Sequence, residues 1–246
     1  MLWLGTLGQL WAQAPAPQPP PQLVTFYMVG GQELMGEFSQ VDKPATFKFR
    51  TAKGVKAVTL QPGTPSPTFI RKAGSTITLF KETPASEPGK PPEVVSLAET
   101  TVTATWRNVL VLVHLDEATD RLTLKPINQS YEALPAASVS FYNLTRLPLA
   151  IKMGENQGIV AAQGNLVMPV AVTGEEPVMV RIQVAAEIDG KAQLLSSAAY
   201  ALTPKDRRTI LLAPGQSSRL RMSILDPAPP DPLDPTTGAV PTPNAK

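Results

Sequence analysis

Between residues 178 and 188 apolar and polar side chains alternate with a period of two. Val178, Val180, Ile182, Val184, Ala186 and Ile188 fall on one side, with Arg181, Gln183 and Glu187 on the other. Successive side chains of an extended chain point to opposite faces, so this pattern predicts a strand with one face buried. Asp189-Gly190 follows, a pair suited to the positive φ angles of a two-residue hairpin turn, and KAQLLSSAAYAL supplies the returning strand. The same alternation predicts strands through Ala45, Phe47 and Phe49, through Val102, Ala104 and Trp106, through Leu122 and Leu124, and through Leu220, Met222 and Ile224. Turn chemistry punctuates them at Gly30-Gly31, Pro62-Gly63 and Pro214-Gly215. No segment carries a helical period, and the fold class expected is all-β.

Two pairs of segments match in order as well as in type. LVTFYMVGGQELMGEF from Leu23 and SVSFYNLTRLPLAIKMG from Ser138 each place a Phe-Tyr pair in an opening strand, then a short connection and a second strand. Later in each half a basic residue precedes an apolar run and a hairpin, RNVLVLVHLDEATDRLTL from Arg107 and RRTILLAPGQSSRLRMSIL from Arg207. This order predicts two tandem immunoglobulin-like β-sandwich modules, residues 22–133 and 134–226; a single large sandwich with one continuous core is the alternative. Proline punctuates the chain three times: in a linker at 15–21, in Glu82–Glu93, and in a tail beyond Asp226 that holds seven prolines. The middle segment reads as a loop inside the first module. The termini read as disordered and polyproline-like, so removing the tail, 227–246, is expected to leave the melting temperature unchanged.

The opening MLWLGTLGQLWAQA reads as a signal peptide, residues 1–14. Its apolar run of ten residues, Leu2 to Trp11, covers roughly half of a ~30 Å hydrocarbon core as a helix, and Ala12-Gln13-Ala14 has the small-x-small form of a cleavage site. It departs from the usual pattern in having no Lys or Arg ahead of Leu2. The expected location is therefore exported, periplasmic or extracellular, with no transmembrane anchor. Hydrophobic residues make up 43% of the chain, enough for a packed core. A net charge of +2 over 246 residues is too thin for a phosphate-backbone footprint, which argues against nucleic acid. The absence of cysteine excludes disulfides, thiolate metal sites and cysteine nucleophiles.

The second half, with SFYNLTRLPLAIKMG followed by VRIQVAAEIDGKAQLLSSAAYALTPKDRRTILLA, resembles uncharacterised secreted bacterial β-sandwich proteins that carry an F-x-N-L-(S/T) strand and a late hairpin ending in a basic turn. The FYNLT segment is also similar, to a lesser degree, to the second module of the periplasmic accessory proteins of alginate O-acetylation. These resemblances imply a β-sandwich fold and export, and they transfer no catalytic residue.

No constellation of side chains composes a catalytic, cofactor or metal site. His114, the single histidine, shares a strand face with Leu110 and Leu112 and has no acid or nucleophile at a spacing that proposes a triad. Asp116, Glu117 and Asp120 could gather around Ca²⁺ or act as a glycosidase pair, but LDEATDRL lacks calcium-loop spacing and reads as a solvated hairpin tip. Asn128-Gln-Ser130 and Asn143-Leu-Thr145 match the glycosylation triplet, and neither is taken as a site. Lys205, Arg207 and Arg208 crowd one turn, with Arg219 and Arg221 on a nearby strand, a distribution able to attract an anionic polymer and equally a solvated turn. The expectation is a non-enzymatic exported envelope protein, a structural or interaction module whose partner is a protein or polysaccharide of the envelope. The alternatives are a polysaccharide-binding or polysaccharide-modification accessory protein and a carboxylate-based hydrolase. A two-sandwich pilus chaperone is disfavoured because the sequence shows no basic pair placed to hold a terminal carboxylate.

Overall fold

Two runs, VLVLV in the first half and TILLA in the second, are apolar at consecutive positions, and such strands need cover on both faces. The computed structural model describes residues 21–29, 44–74, 76–85, 89–116, 121–171, 174, 176–215, 220–225 and 228–231, and shows what covers them. The first half folds as β1 (Gln22–Val29), β2 (Ala45–Thr51), β3 (Gly54–Leu60), β4 (Phe69–Arg71), β5 (Thr76–Thr83), β6 (Glu93–Thr101), β7 (Asn108–Asp116) and β8 (Arg121–Asn128). The second folds as β9 (Ser138–Asn143), β10 (Leu149–Met153), β11 (Asn156–Val160), β12 (Asn165–Pro169), β13 (Val178–Ile188), β14 (Lys191–Leu202), β15 (Arg207–Pro214) and β16 (Leu220–Ile224). Among the described residues there is no helix, hence none long and apolar enough to cross a membrane.

These strands make four sheets of four, ordered β4-β1-β7-β8, β3-β2-β5-β6, β12-β9-β15-β16 and β11-β10-β13-β14. Each half is a two-sheet sandwich, and the second repeats the first strand for strand. Even the irregularities repeat: β1 pairs with β7 in parallel, as β9 does with β15, while the β5–β6 and β13–β14 ladders shift register at matching places. The extra residue at each bulge is a leucine, Leu97 or Leu195, and each packs against its own module's core. A constant-type immunoglobulin domain has seven strands in sheets of four and three. Among the described residues there are eight per module with a parallel central pair, so the likeness is to the sandwich architecture and not to that strand order.

Phe26, Val109 and Val111 meet Phe47, Phe49 and Leu79 in the first core; Phe141, Ile210 and Leu212 meet Ile151, Ile182 and Val184 in the second. The alternate residues of the same strands build a third cluster. Tyr27, Val29, Leu110, Leu112 and Ile127 pack against Tyr142, Leu144, Leu211, Ala213 and Leu225. The sheets β4-β1-β7-β8 and β12-β9-β15-β16 therefore stand back to back, making a four-layer block in which β7 and β15 are buried on both faces. The Phe-Tyr pairs divide their labour: each Phe enters its own sandwich core and each Tyr enters the seam.

The Asp189-Gly190 hairpin forms as expected, with φ of 52° and 72°. Gln61 O accepts from Thr64 N at 3.1 Å across Pro62-Gly63, with Gly63 at φ 74°, a turn that needs glycine in its third place. The proline-rich Glu82–Glu93 lies in the β5–β6 connection, where the second module has its tight hairpin. Two expectations are corrected. Val102, Ala104 and Trp106 do not form a strand: β6 ends at Thr101, and Trp106 N donates to Thr103 O at 3.0 Å in a turn that carries the chain from one sheet to the other. The tail is not free from residue 227 onward, because 228–231 dock at the seam with Asp231 only 3% exposed. The signal peptide at 1–14, most of the 15–21 linker, Gly30-Gly31 and residues 232–246 lie outside the described residues.

Candidate functional site: the seam between the sandwiches

The chain between β8 and β9 and the segment after β16 converge on one side chain. Superposing the repeats by register sets Asn108 against Arg207, and Leu23 N donates to Arg107 O as Ser138 N does to Asp206 O. The matching basic residues of the sequence are thus one position out of step, and the step places Arg207 inside the seam. Its side chain is 5% exposed. Nε donates to Leu134 O at 2.8 Å, Nη2 to Gln129 O and to Asp231 Oδ1 at 3.3 Å, and Nη1 to Pro229 O at 3.4 Å. The guanidinium lies 4.8 Å from the Tyr131 ring centroid. Asp231 Oδ2 accepts from Tyr131 N at 2.7 Å, Asn108 Nδ2 donates to Pro229 O at 2.7 Å, and Gln129 Nε2 donates to Thr209 Oγ1 at 2.8 Å. A buried guanidinium cannot shed its charge, and here it is met by a carboxylate and three carbonyls at once. This is a clasp that joins both modules, their linker and the tail.

Elsewhere the seam opens into a cleft of about 420 Å³ lined by Val29, Leu112, His114, Thr123, Lys125, Leu144, Arg146 and Gln163. Val29, Leu112 and Leu144 continue the apolar cluster into it. Lys125 on β8 donates to Gln163 O at 3.1 Å and to Gln163 Oε1 at 3.4 Å, and its ammonium sits 4.9 Å from the Tyr142 ring centroid. Gln163 holds φ 57°, and its Nε2 donates to Leu144 O at 2.8 Å and Thr145 O at 3.2 Å, which fixes the turn beneath Lys125. Burial pushes the Lys125 ammonium below its ordinary range and the Tyr142 phenol above its own. Every partner of Lys125 among the described residues is neutral.

The candidates read from the sequence fare differently. His114 lines the cleft on the face of Leu110 and Leu112, as its spacing implied. Asp116 pairs through its backbone with Arg121, while Glu117, Asp120 and Arg219 lie outside the described residues. Among the described residues no three His, Asp or Glu gather as metal ligands. Asn143 is wholly buried, its Nδ2 donating to Leu147 O at 2.7 Å and Ala161 O at 3.0 Å while Oδ1 accepts from Thr145 N at 2.8 Å. The N-L-T triplet is therefore the brace of the β9–β10 connection. Asn128 Oδ1 likewise accepts from Ser130 N at 2.9 Å. The basic turn dissolves as a surface feature: Arg207 is inside, and Arg208 Nε lies 3.4 Å from Asp206 Oδ2. Lys125, Gln163 and Asp231 carried no local signal, since each acts across 17 or more residues.

A second surface distinguishes the modules. On the outer face of β11-β10-β13-β14 the register aligns Ile159, Ala150, Ala185 and Leu194 in one row, with Ile159 72% and Leu194 61% exposed. Small residues in the middle and large ones at the rims make an open apolar trough. The matching row of the first module, Ala57, Lys48, Phe80 and Ser96, is filled at its centre, with Lys48 paired to Glu82 and Arg50 over the Phe80 ring. No family model matches the chain, and no curated protein proves similar to it.

Proposed function

We propose that the protein is an exported, non-enzymatic envelope protein acting as an interaction module, a rigid block of two sandwiches whose inter-module cleft receives an acidic group of a partner. Export rests on the form of the opening segment and on the resemblance to secreted β-sandwich proteins. The observation that carries the binding reading is Lys125, a partly desolvated ammonium held by neutral groups at the wall of an apolar-floored cleft. An ammonium so placed gains most from an arriving carboxylate, because the cost of removing it from water is already met within the fold. The aliphatic floor of Val29, Leu112 and Leu144 favours an apolar group beside that acid.

The test titrates the full chain at low salt, by NMR chemical-shift mapping, with acetyl-Val-Asp-Val-amide and its Asn counterpart. Shifts confined to the cleft for the acid peptide, lost in Lys125→Gln, are the expected result; equal responses to both peptides would sink the reading. Fractionation addresses export, which fails if the protein is found only in the cytosol with Met1 intact.

A polysaccharide-binding or accessory role is the second reading. It is favoured by Thr123, a hydroxyl residue lining the same cleft, where sugar hydroxyls need partners. A galacturonate oligomer that binds in a Lys125-dependent way, when the acid peptide does not, would select it.

A further inference from the structure

The end of the first sandwich holds a row of three polar side chains where the second has one. Gln22 opens β1, Arg71 closes β4, and the two are register partners. Arg107 directly precedes Asn108, the partner of Leu23, and its carbonyl accepts from Leu23 N at 2.8 Å, so it stands level with Gln22 on the other side. The alternation through Val24 and Phe26, through Phe69, and through Val109 and Val111 assigns all three positions to the core-facing side of β4-β1-β7-β8. The matching row of the second module is Val170, Ala137 and Asp206. An arginine-glutamine-arginine row has replaced an apolar one with a single acid.

Among the described residues neither arginine has a carboxylate partner. Arg71 is 6% exposed; its Nε donates to Lys72 O at 3.2 Å, and Nη1 is buried with no acceptor. Arg107 Nη1 is buried in the same condition. Gln22 is wholly buried, with Nε2 donating to Thr103 O at 2.9 Å, which orients the amide and leaves Oε1 without a donor. Burial depresses the Arg71 guanidinium below its ordinary range. Gly74 lies against it, since a Cβ there would come within 3.0 Å of Nη2. Guanidinium pairs flanking one residue of a sheet stand about 10 Å apart at Cα, a separation that two long arginine side chains close easily. A buried guanidinium nitrogen without an acceptor is costly, and two of them beside an amide oxygen without a donor point to a ligand.

We propose that Arg71, Gln22 and Arg107 form a phosphate-binding site at the end of the first sandwich, the guanidinium forks taking the phosphoryl oxygens and Gln22 Oε1 accepting from a P–OH. A monoprotonated phosphate group supplies acceptors for both cations and the one donor the glutamine lacks; sulfate at neutral pH supplies only the acceptors. The group comes either as free phosphate or as the end of a phosphomonoester. The site lies on the core side of its sheet and is independent of the cleft.

The experiment compares inorganic phosphate, glycerol 3-phosphate and sulfate at matched ionic strength, using ³¹P line broadening for binding to the full chain and melting temperature for all three anions. The expected result is phosphate-dependent broadening and a melting increment over sulfate, both lost in Arg71→Met and Arg107→Met and retained in Arg50→Met on the opposite sheet. Arg71→Lys keeps the charge but not the fork, and weakens binding by about tenfold, the worth of one charge-assisted hydrogen bond. Binding of the ester as well as the free ion assigns the site to the end of a larger molecule; binding of the free ion alone assigns it to phosphate itself. Equal increments in Arg71→Met and the parent, or sulfate acting as strongly as phosphate, overturn the proposal.

Discussion

Replacing Asp231 with Ala removes the one carboxylate among the described residues that faces the buried Arg207. The pair is 3.3 Å apart, with side chains 5% and 0% exposed, so solvent screens it little. Breaking a buried pair from one side costs about 3–5 kcal/mol, because the remaining ion is left uncompensated. Arg207 keeps Leu134 O, Gln129 O and the Tyr131 ring, which places the expected loss near the lower end, about 3 kcal/mol. The Asp231 bond to Tyr131 N disappears with it. For a chain of this size that is a fall in melting temperature of roughly 6–12 °C. Truncation after residue 226 should do at least as much, since it also deletes the Pro229 carbonyl that serves Asn108 and Arg207 and the Ala228 N bond to Arg207 O. Truncation after residue 231 keeps all of these contacts and serves as the comparison. Calorimetry and urea unfolding of the three variants read the effect. A loss below about 1 °C for both Asp231→Ala and the truncation after 226 would refute the clasp, since even a single neutral hydrogen bond is worth about 1 kcal/mol.

Leu211→Ala, at a wholly buried seam position, should cost about 2–5 kcal/mol and lower the melting of both modules together; two separate transitions in the parent would refute a shared seam. Expression in a glycosylating host should add no glycan mass at Asn143, whose amide nitrogen is buried in three carbonyl contacts; peptide mapping checks this. Phenolate absorbance should show late ionisation that Tyr142→Phe diminishes, because burial raises that phenol above its usual value of 10.0. The neutral form is the one the fold favours, so the Tyr142 contribution is present below pH 10 and is lost as pH rises through the elevated value.

Period-two alternation is a local property, and so the all-β class, the Asp189-Gly190 hairpin and the tandem repeat were legible in the chain itself. The doubly apolar runs in β7 and β15 also announced strands covered on both faces, although not what covers them. Where alternation continued through a turn, at Val102, Ala104 and Trp106, the same rule misled, because a side chain can meet the core from a turn as well as from a strand. The tail shows the limit most plainly. Its prolines do remove ladder donors, yet one proline carbonyl and one aspartate suffice to dock on a distant arginine. Which alternate face of β1, β7, β9 and β15 meets the other module, and which charges thereby lose their water, is decided only when the two sheets close back to back. Burial at Arg207 and Lys125 is a product of that packing, and burial at Arg71 a product of the closing of its own sandwich; in each case the partners lie on strands and turns that the chain brings together only in the folded block.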